Sequence, residues 1–172
     1  SMFGGFGGMR LMSWNRCQGD LGLHPFFQLE FGRHVLIGMN STLIGLPELV
    51  SDCPVSEYEE WKNLREDHLS KLKIALESIG SDQRILFFLH DPSAIPYLAE
   101  LPWVRARLHQ LDATFIGHLH SSVILKMSRV LAGMPKIIRM GHTALKISTA
   151  LQKAKLWRPF KVQLVPAPGG IE

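Results

Sequence analysis

Three histidines follow two apolar runs in this sequence, and together they could form a chemical site. His90 follows the run 84–89, and His118 and His120 follow the run 113–117. Imidazole nitrogens are common ligands of first-row divalent metals, so three of them close together can hold such an ion. The pattern predicts a metal site if the fold brings the ends of the two runs together.

The two apolar runs are typical of buried strands. Each is a stretch of mostly large apolar residues that stops at glycine or histidine, which favours a strand leaving the core at the edge of a sheet. Helix-rich segments between such strands favour an α/β fold in which the strands lie side by side. Because sites in α/β proteins lie at the ends of the strands, we expect His90 to lie near His118 and His120.

Hydrophobic periodicity and turn residues predict the remaining elements. The predicted order is strands at 25–31 and 34–39, a helix from 56 to 79, a strand at 84–89, short helices around 94–100 and 103–111, strands at 113–117, 122–127 and 136–140, a helix at 143–157 and a strand at 160–165. Gly32 and Arg33 form the hairpin turn, and Ser56 with Glu59 gives a capping box for the long helix. His68 lies on the apolar stripe of that helix, which favours a core position over metal binding.

Two motifs resemble those of the calcineurin-like metallophosphoesterases. Members of that family carry a strand ending in His-x-Pro and a later strand ending in Gly-His-x-His, and here His90-Asp91-Pro92 and Gly117-His118-Leu119-His120 match both. The segment 26–41 also resembles the family's hairpin that follows its Asn-His motif. The resemblance covers roughly residues 25–142 and implies an α/β fold that is part of an αββα sandwich.

The resemblance implies a function as well as a fold. By position, His90 and His118 would bind one divalent metal and His120 the other, the two ions being manganese, iron or zinc. Metal-activated water would then hydrolyse a phosphomonoester, phosphodiester or pyrophosphate. Asp91 occupies a variable place in the motif, and fixing a turn or orienting His90 is favoured for its carboxylate over direct metal binding. His142 stands where family members return a turn beside the site, so it is a candidate contact to substrate phosphate, with a surface histidine as the alternative.

The family's other metal-binding motifs are not visible in this sequence. Asp-x-His, Gly-Asp and Gly-Asn-His motifs complete the site in its members, whereas Gly19-Asp20 lies directly before the hairpin and Asn40 has no histidine after it. Two cations held close together need carboxylates to offset their repulsion. We therefore expect the isolated chain to be incomplete for catalysis and to need a missing N-terminal half or a second subunit as its partner.

The composition is that of a folded domain. The 172 residues are 46% apolar and 20% charged, which is enough chain for one core. The expected division is a flexible glycine-rich lead-in at 1–24, the metallophosphoesterase-like part at 25–166 and a tail at 167–172. No run approaches the ~20 apolar residues of a membrane span, and we expect a cytoplasmic protein.

Charge is unevenly distributed along the chain and supports a competing hypothesis. Residues 113–171 contain nine Lys and Arg and no Asp or Glu. Such a region attracts phosphate-bearing substrates, anionic lipid and nucleic acid, or it pairs with a missing acidic half. The basic amphipathic pattern at 143–157 suits peripheral contact with a membrane, although a helix packed on the protein's own sheet is the favoured interpretation of it. The alternative function is therefore a non-catalytic half-domain whose basic face binds a partner, an anionic membrane or, less favoured, nucleic acid.

Overall fold

The described part of the chain combines a five-stranded sheet with helices, which confirms the predicted α/β class. A computed structural model describes residues 10–49, 53–117 and 154–165. The strands are β1 (Phe26–Phe31), β2 (His34–Met39), β3 (Arg84–Leu89), β4 (Leu111–Ile116) and β5 (Val162–Leu164). The helices are α1 (Leu11–Gly19), α2 (Ser41–Ile44), α3 (Leu46–Leu49), α4 (Tyr58–Ser78), α5 (Ile95–Glu100) and α6 (Pro102–Arg105), with 3-10 turns at Val55–Glu57, Pro92–Ala94 and Ala154–Trp157.

Strands β2 to β5 run parallel, so their C-terminal ends lie at one edge of the sheet. The strand order is β1-β2-β3-β4-β5, and only the pair of β1 with β2 is antiparallel in this described sheet. Met39 pairs with Leu89, and Leu89 pairs with Ile116. Because these last residues of β2, β3 and β4 are in register, the residues that follow them leave the sheet side by side.

The hairpin of β1 and β2 confirms the predicted turn. Gly32 has a φ of +57°, a left-handed conformation that glycine adopts without the steric cost of a Cβ. Phe31 pairs with His34, which leaves Gly32 and Arg33 as the two turn residues. The hydrophobic alternation and the turn residues were therefore enough to predict this part of the sheet.

Helices α4 and α5 pack on one face of the sheet and form the main core with it. Strand side chains that point to this face include Ile37 and Phe87, which are paired neighbours on β2 and β3. From the helices, Leu72, Leu76 and Leu98 meet them, all almost fully buried. Burying each such side chain contributes about 1.5–3 kcal/mol, so this contact sets the position of the helices on the sheet.

The opposite face of the sheet, called the second face below, is also apolar. It carries Phe27, Leu29, Phe31, Leu36, Leu86, Phe88 and Phe115. Phe88 and Phe115 stack at a centroid distance of 5.1 Å, and the ring of Phe27 lies over Gly38, where any Cβ would meet it. Phe31 nevertheless remains 77% exposed and Leu29 58% exposed. Strands that are apolar on both faces are typical of a sheet covered on both sides.

The long helix α4 does not begin with the predicted capping box. It follows the 3-10 turn Val55–Glu57, and its N-cap residue Glu57 makes no side-chain cap. The Glu57 carboxylate instead accepts hydrogen bonds from the Leu11 backbone N–H (2.8 Å) and from Trp61 Nε1 (3.3 Å). Neither α4, with its 21 residues, nor any other helix in the described ranges is long and apolar enough to cross a membrane.

The lead-in expected over residues 1–24 contains helix α1 in its described part. No residue of α1 is fully buried, so a sequence pattern could not reveal it as a core helix. Its attachment comes from the Glu57 carboxylate at its first residue and from the edge-to-face contact of Trp14 with Trp61, whose centroids are 5.6 Å apart. A carboxylate near the first N–H groups of a helix also interacts favourably with the helix dipole.

Other predicted elements differ in extent or lie outside the described residues. The helix predicted around 103–111 is only α6, followed by turns up to Gln110, and β4 begins at Leu111 rather than at residue 113. The predicted strands at 122–127 and 136–140 lie outside the described residues. The same holds for the predicted helix at 143–157 up to residue 153, after which a short 3-10 turn is found.

Replacing Glu57 by alanine should detach α1 from the rest of the chain. The substitution leaves the Leu11 N–H and Trp61 Nε1 without their acceptor, and hydrogen bonds to a charged group contribute about 1.5–3 kcal/mol. We expect limited proteolysis between residues 10 and 24 to become several-fold faster, as measured by mass spectrometry of the fragments.

The matched control is Glu59→Ala, because the exposed Glu59 carboxylate pairs only with Lys62, at 3.7 Å, among the described contacts. This variant should be cleaved at the wild-type rate. Equal cleavage of the Glu57→Ala variant and of the wild type would show that the carboxylate does not attach α1.

Candidate functional site

The C-terminal ends of β2, β3 and β4 bring Asn40, His90 and Gly117 to neighbouring positions. The Gly117 N–H donates to the Leu89 carbonyl at 3.1 Å, and a Cβ built on Gly117 would lie 3.6 Å from Nδ1 of His90. The predicted pairing of the two histidine-bearing strands is thereby confirmed. His118, the next residue after Gly117, lies outside the described residues.

His120 and His142 also lie outside the described residues, so their predicted roles stay predictions. Of the four candidate site residues, the structure therefore places His90 alone. Its side chain is exposed, and it follows β3 directly at the edge of the sheet. This is the location that the sequence pattern predicts for it.

A cleft of about 760 Å³ opens at this edge. Its polar lining consists of His24, Asn40, Ser41, Thr42, His90 and Asp91. Its aromatic lining is Phe27, Phe88 and Phe115, which belong to the second face of the sheet. The cleft thus lies where the second face meets the polar residues that follow β2 and β3. An apolar wall with a few convergent polar groups is typical of a small-molecule site.

Asp91 fixes the turn that follows β3. Its Oδ1 accepts the Ser93 backbone N–H at 2.8 Å, and Pro92 occupies the first position of the 3-10 turn that Asp91 caps. A side chain of this kind at a cap satisfies an N–H that the turn itself leaves without a partner. The structure therefore confirms the turn-fixing role favoured for Asp91 in the sequence.

Asn40 and Ser41 connect the end of β2 to the end of β3, a role that the sequence analysis missed. Asn40 Oδ1 accepts the Leu43 N–H at 3.0 Å and caps α2. Ser41 Oγ accepts the backbone N–H groups of both His90 and Asp91, each at 3.0 Å. An Asn-Ser pair directly after an apolar strand is a recognisable helix-start signal, but the two long-range bonds have no sequence signature.

His68 supports this connection from beneath. It is 1% exposed, it packs edge-to-face on Phe26 at 5.7 Å, and its Nε2 accepts the Asn40 N–H at 3.1 Å. Burial is the main reason that the pKa of His68 is lowered to about 4; the charge of Lys71 adds to this effect and that of Asp67 partly opposes it. The ring is therefore neutral at pH 7, with the unprotonated Nε2 serving as the acceptor. The prediction of a core histidine is confirmed.

The described residues do not form a metal site by themselves. Over residues 10–49, 53–117 and 154–165, no group of three or more His, Cys, Asp or Glu side chains could hold an ion together. At the cleft, His90 offers an imidazole of the right chemistry, while one oxygen of Asp91 is engaged in its turn. The donor set of this edge therefore fits a divalent ion as one contribution to a larger cluster.

A cluster of charged and polar side chains lies at the opposite edge of the sheet, where its members bond to one another. Asp112 Oδ1 accepts a 2.6 Å bond from Arg84, and His34 lies 3.3 Å from Asp112 Oδ2. The hydrogen bond from Arg84 is the main reason that the pKa of Asp112 is lowered. This cluster joins β2, β3 and β4 where the parallel strands begin, away from the cleft.

Comparisons of the chain with family models, with curated proteins and with solved structures give no match. Function is therefore inferred from the two histidine motifs and from the geometry at the edge of the sheet.

Lowering the pH should destabilise the protein through His68. Its pKa is lower in the folded state than the ordinary value of 6.5, so its contribution to stability is present above that value and is lost as the pH falls toward about 4. The loss between pH 7 and pH 4 should reach about 3 kcal/mol, as measured by urea unfolding at both values.

The variant His68→Gln provides the comparison, because an amide oxygen can still accept the Asn40 N–H but does not titrate. Its free energy of unfolding should change with pH by about 3 kcal/mol less than that of the wild type. If the free energy of unfolding changes equally with pH in both proteins, His68 is not the group responsible.

Proposed function

We propose that this chain is the histidine-bearing part of a metal-dependent phosphoesterase of the calcineurin-like kind. One observation carries the proposal: β3 and β4 are parallel neighbours in register, so the His-x-Pro and Gly-His-x-His motifs start from adjacent points of one sheet edge. Two motifs that are 28 residues apart in sequence would not meet there if β3 and β4 were antiparallel or separated by another strand.

The second face of the sheet supports the expectation of an αββα sandwich. Leu29 and Phe31 are largely exposed on it, although α4 and α5 already cover the first face. A second sheet packed on this face would bury both side chains. It would also form another wall of the cleft, because Phe27 and Phe88 line the cleft and belong to the second face. We propose residues 25–166 as the part that takes this form.

Under this proposal the histidines divide between two metal ions. His90 and His118 bind one ion, His120 binds the other, and His142 contacts substrate phosphate. The two ions, manganese, iron or zinc, supply activation of water and neutralise phosphoryl oxygens. The chain's own task is to present His90 at the cleft, which it does through β3 and the turn that Asp91 caps.

The proposal also specifies a partner. Carboxylates must offset the charge of two close cations, and Asp91 engages one of its oxygens in a turn. The remaining acidic ligands would come from an N-terminal half or a second subunit. A substrate that bears phosphate completes the set, and the basic region 113–171 would attract it, although most of that region lies outside the described residues.

Replacing His90 by alanine should weaken metal binding by at least roughly tenfold, since even groups outside the coordination sphere have effects of that size. Binding of Mn²⁺ or Zn²⁺ is measured by isothermal titration calorimetry on the product of the whole reading frame, because the 172-residue chain supplies only some of the proposed ligands. Hydrolysis of bis(p-nitrophenyl) phosphate is measured on the product of the whole reading frame, where the variant should lose nearly all activity.

The matched control is His109→Ala. His109 is exposed in the turns before β4, at the opposite edge of the sheet, with Nδ1 2.9 Å from the Ala106 carbonyl. The His109→Ala variant should keep the wild-type metal affinity and the wild-type rate of phosphodiester hydrolysis. A wild-type protein that binds no metal and hydrolyses no phosphoester would overturn the proposal and favour the non-catalytic half-domain.

A further inference from the structure

We propose that Ser41 is a positioning residue that holds His90 in the direction needed for metal binding. The inference rests on the proposed function, because His90 has a chemical task only if it ligates the metal. Ser41 belongs to α2, just after β2, and does not itself need to touch the metal or the substrate. It acts through the backbone of the residue that does.

The hydroxyl oxygen of Ser41 accepts two hydrogen bonds, and a side chain without a strong acceptor cannot replace it. Oγ accepts the N–H groups of His90 and Asp91 at 3.0 Å each, and Ser41 is only 3% exposed. A hydroxyl oxygen has two acceptor lone pairs, and both are used here. Alanine has no acceptor, and the sulfur of cysteine is a weak one, so either substitution leaves two partly buried N–H groups without a strong partner.

The backbone around His90 is fixed from three directions. The Leu89 carbonyl accepts the Gly117 N–H from β4, the Ser41 hydroxyl holds the next two N–H groups from the β2 side, and Asp91 caps the following turn. The bond to Gly117 belongs to the sheet, and the cap is local to its own turn. Ser41 therefore ties the His90 and Asp91 peptides, through its side chain, to the start of α2 at the end of β2.

Ser41 is itself held firmly. Asn40, its neighbour, caps α2 through its side chain and donates its backbone N–H to the buried His68. The position of Ser41, the first residue of α2, is thus set by the Asn40 cap and by the bond from Asn40 to His68 of α4. A metal ligand has to be held within about 0.5 Å of its productive position, which is the precision that such a supported contact provides.

The experiment compares Ser41→Ala with Ser41→Cys, which keeps the side-chain volume, and with Ser41→Thr, which keeps the hydroxyl. Amide hydrogen exchange at residues 90 and 91, measured by NMR without metal, reads the backbone directly. Exchange should accelerate about tenfold or more at these two amides in the alanine and cysteine variants and stay near wild type with threonine.

The control is Thr114→Val. Thr114 is fully buried on β4 and its hydroxyl donates to the Phe160 carbonyl at 2.7 Å, so this variant also loses a buried hydrogen bond. The Thr114→Val substitution should lower the overall free energy of unfolding without selectively accelerating amide exchange at residues 90 and 91. This comparison separates a general loss of stability from a local release of the His90 backbone.

The second readout is the affinity for Mn²⁺ or Zn²⁺, which should fall roughly 10–100-fold in Ser41→Ala and recover in Ser41→Thr. Unchanged exchange at residues 90 and 91 would overturn the inference. Accelerated exchange with unchanged affinity would also overturn it, because Ser41 would then be structural only, while the proposed function would stand. A wild-type product of the whole reading frame that binds no metal would remove the proposed function, and with it the positioning role, whatever the exchange data show.

Discussion

The parallel pairing of β2, β3 and β4, which is in register from Leu86 of β3 to the strand ends, is the constraint on which the rest of the structure depends. Met39, Leu89 and Ile116 end their strands at one level, so the polar residues that follow meet at one edge. A shift of one residue in any pair would turn every side chain of that strand to the other face. The packing of α4 and α5 against Ile37 and Phe87 opposes such a shift, because it would expose the core. The core thereby determines which residues line the cleft.

The sequence predicts those elements whose signal is local. Strands β1, β2 and β3 lie within one residue of their predicted bounds, because each apolar run is ended by a glycine turn or by polar residues. The start of α4 was wrong, and α1 was missed, for a common reason. Both depend on the Glu57 carboxylate, which bonds a backbone group 46 residues earlier in the chain. No periodicity or capping pattern contains that contact.

The candidate site likewise has features that the local sequence predicts and features that depend on long-range contacts. The place of His90 at the end of β3 and the turn-fixing role of Asp91 follow from local pattern, and both predictions hold. The hydroxyl of Ser41 and the ring of His68 bond backbone groups that are 28 to 50 residues away in sequence. The sequence alone indicates only that a serine hydroxyl and a histidine ring can accept hydrogen bonds. Which donors they meet is decided by the packing of α2 and α4, so the structure was needed to find them.

The second face links the stability of the sheet to the completion of the site. On β1, Phe26 turns toward the core, whereas Leu29 and Phe31 turn to the second face and stay largely exposed. Covering these two side chains would contribute about 1.5–3 kcal/mol each. Because the cleft opens where this face meets His90, a layer that covers the face also reaches the edge where the proposed metal site would need acidic ligands. Under the proposed function, one partner therefore meets both needs, and folding of the second face and assembly of the metal site should occur together.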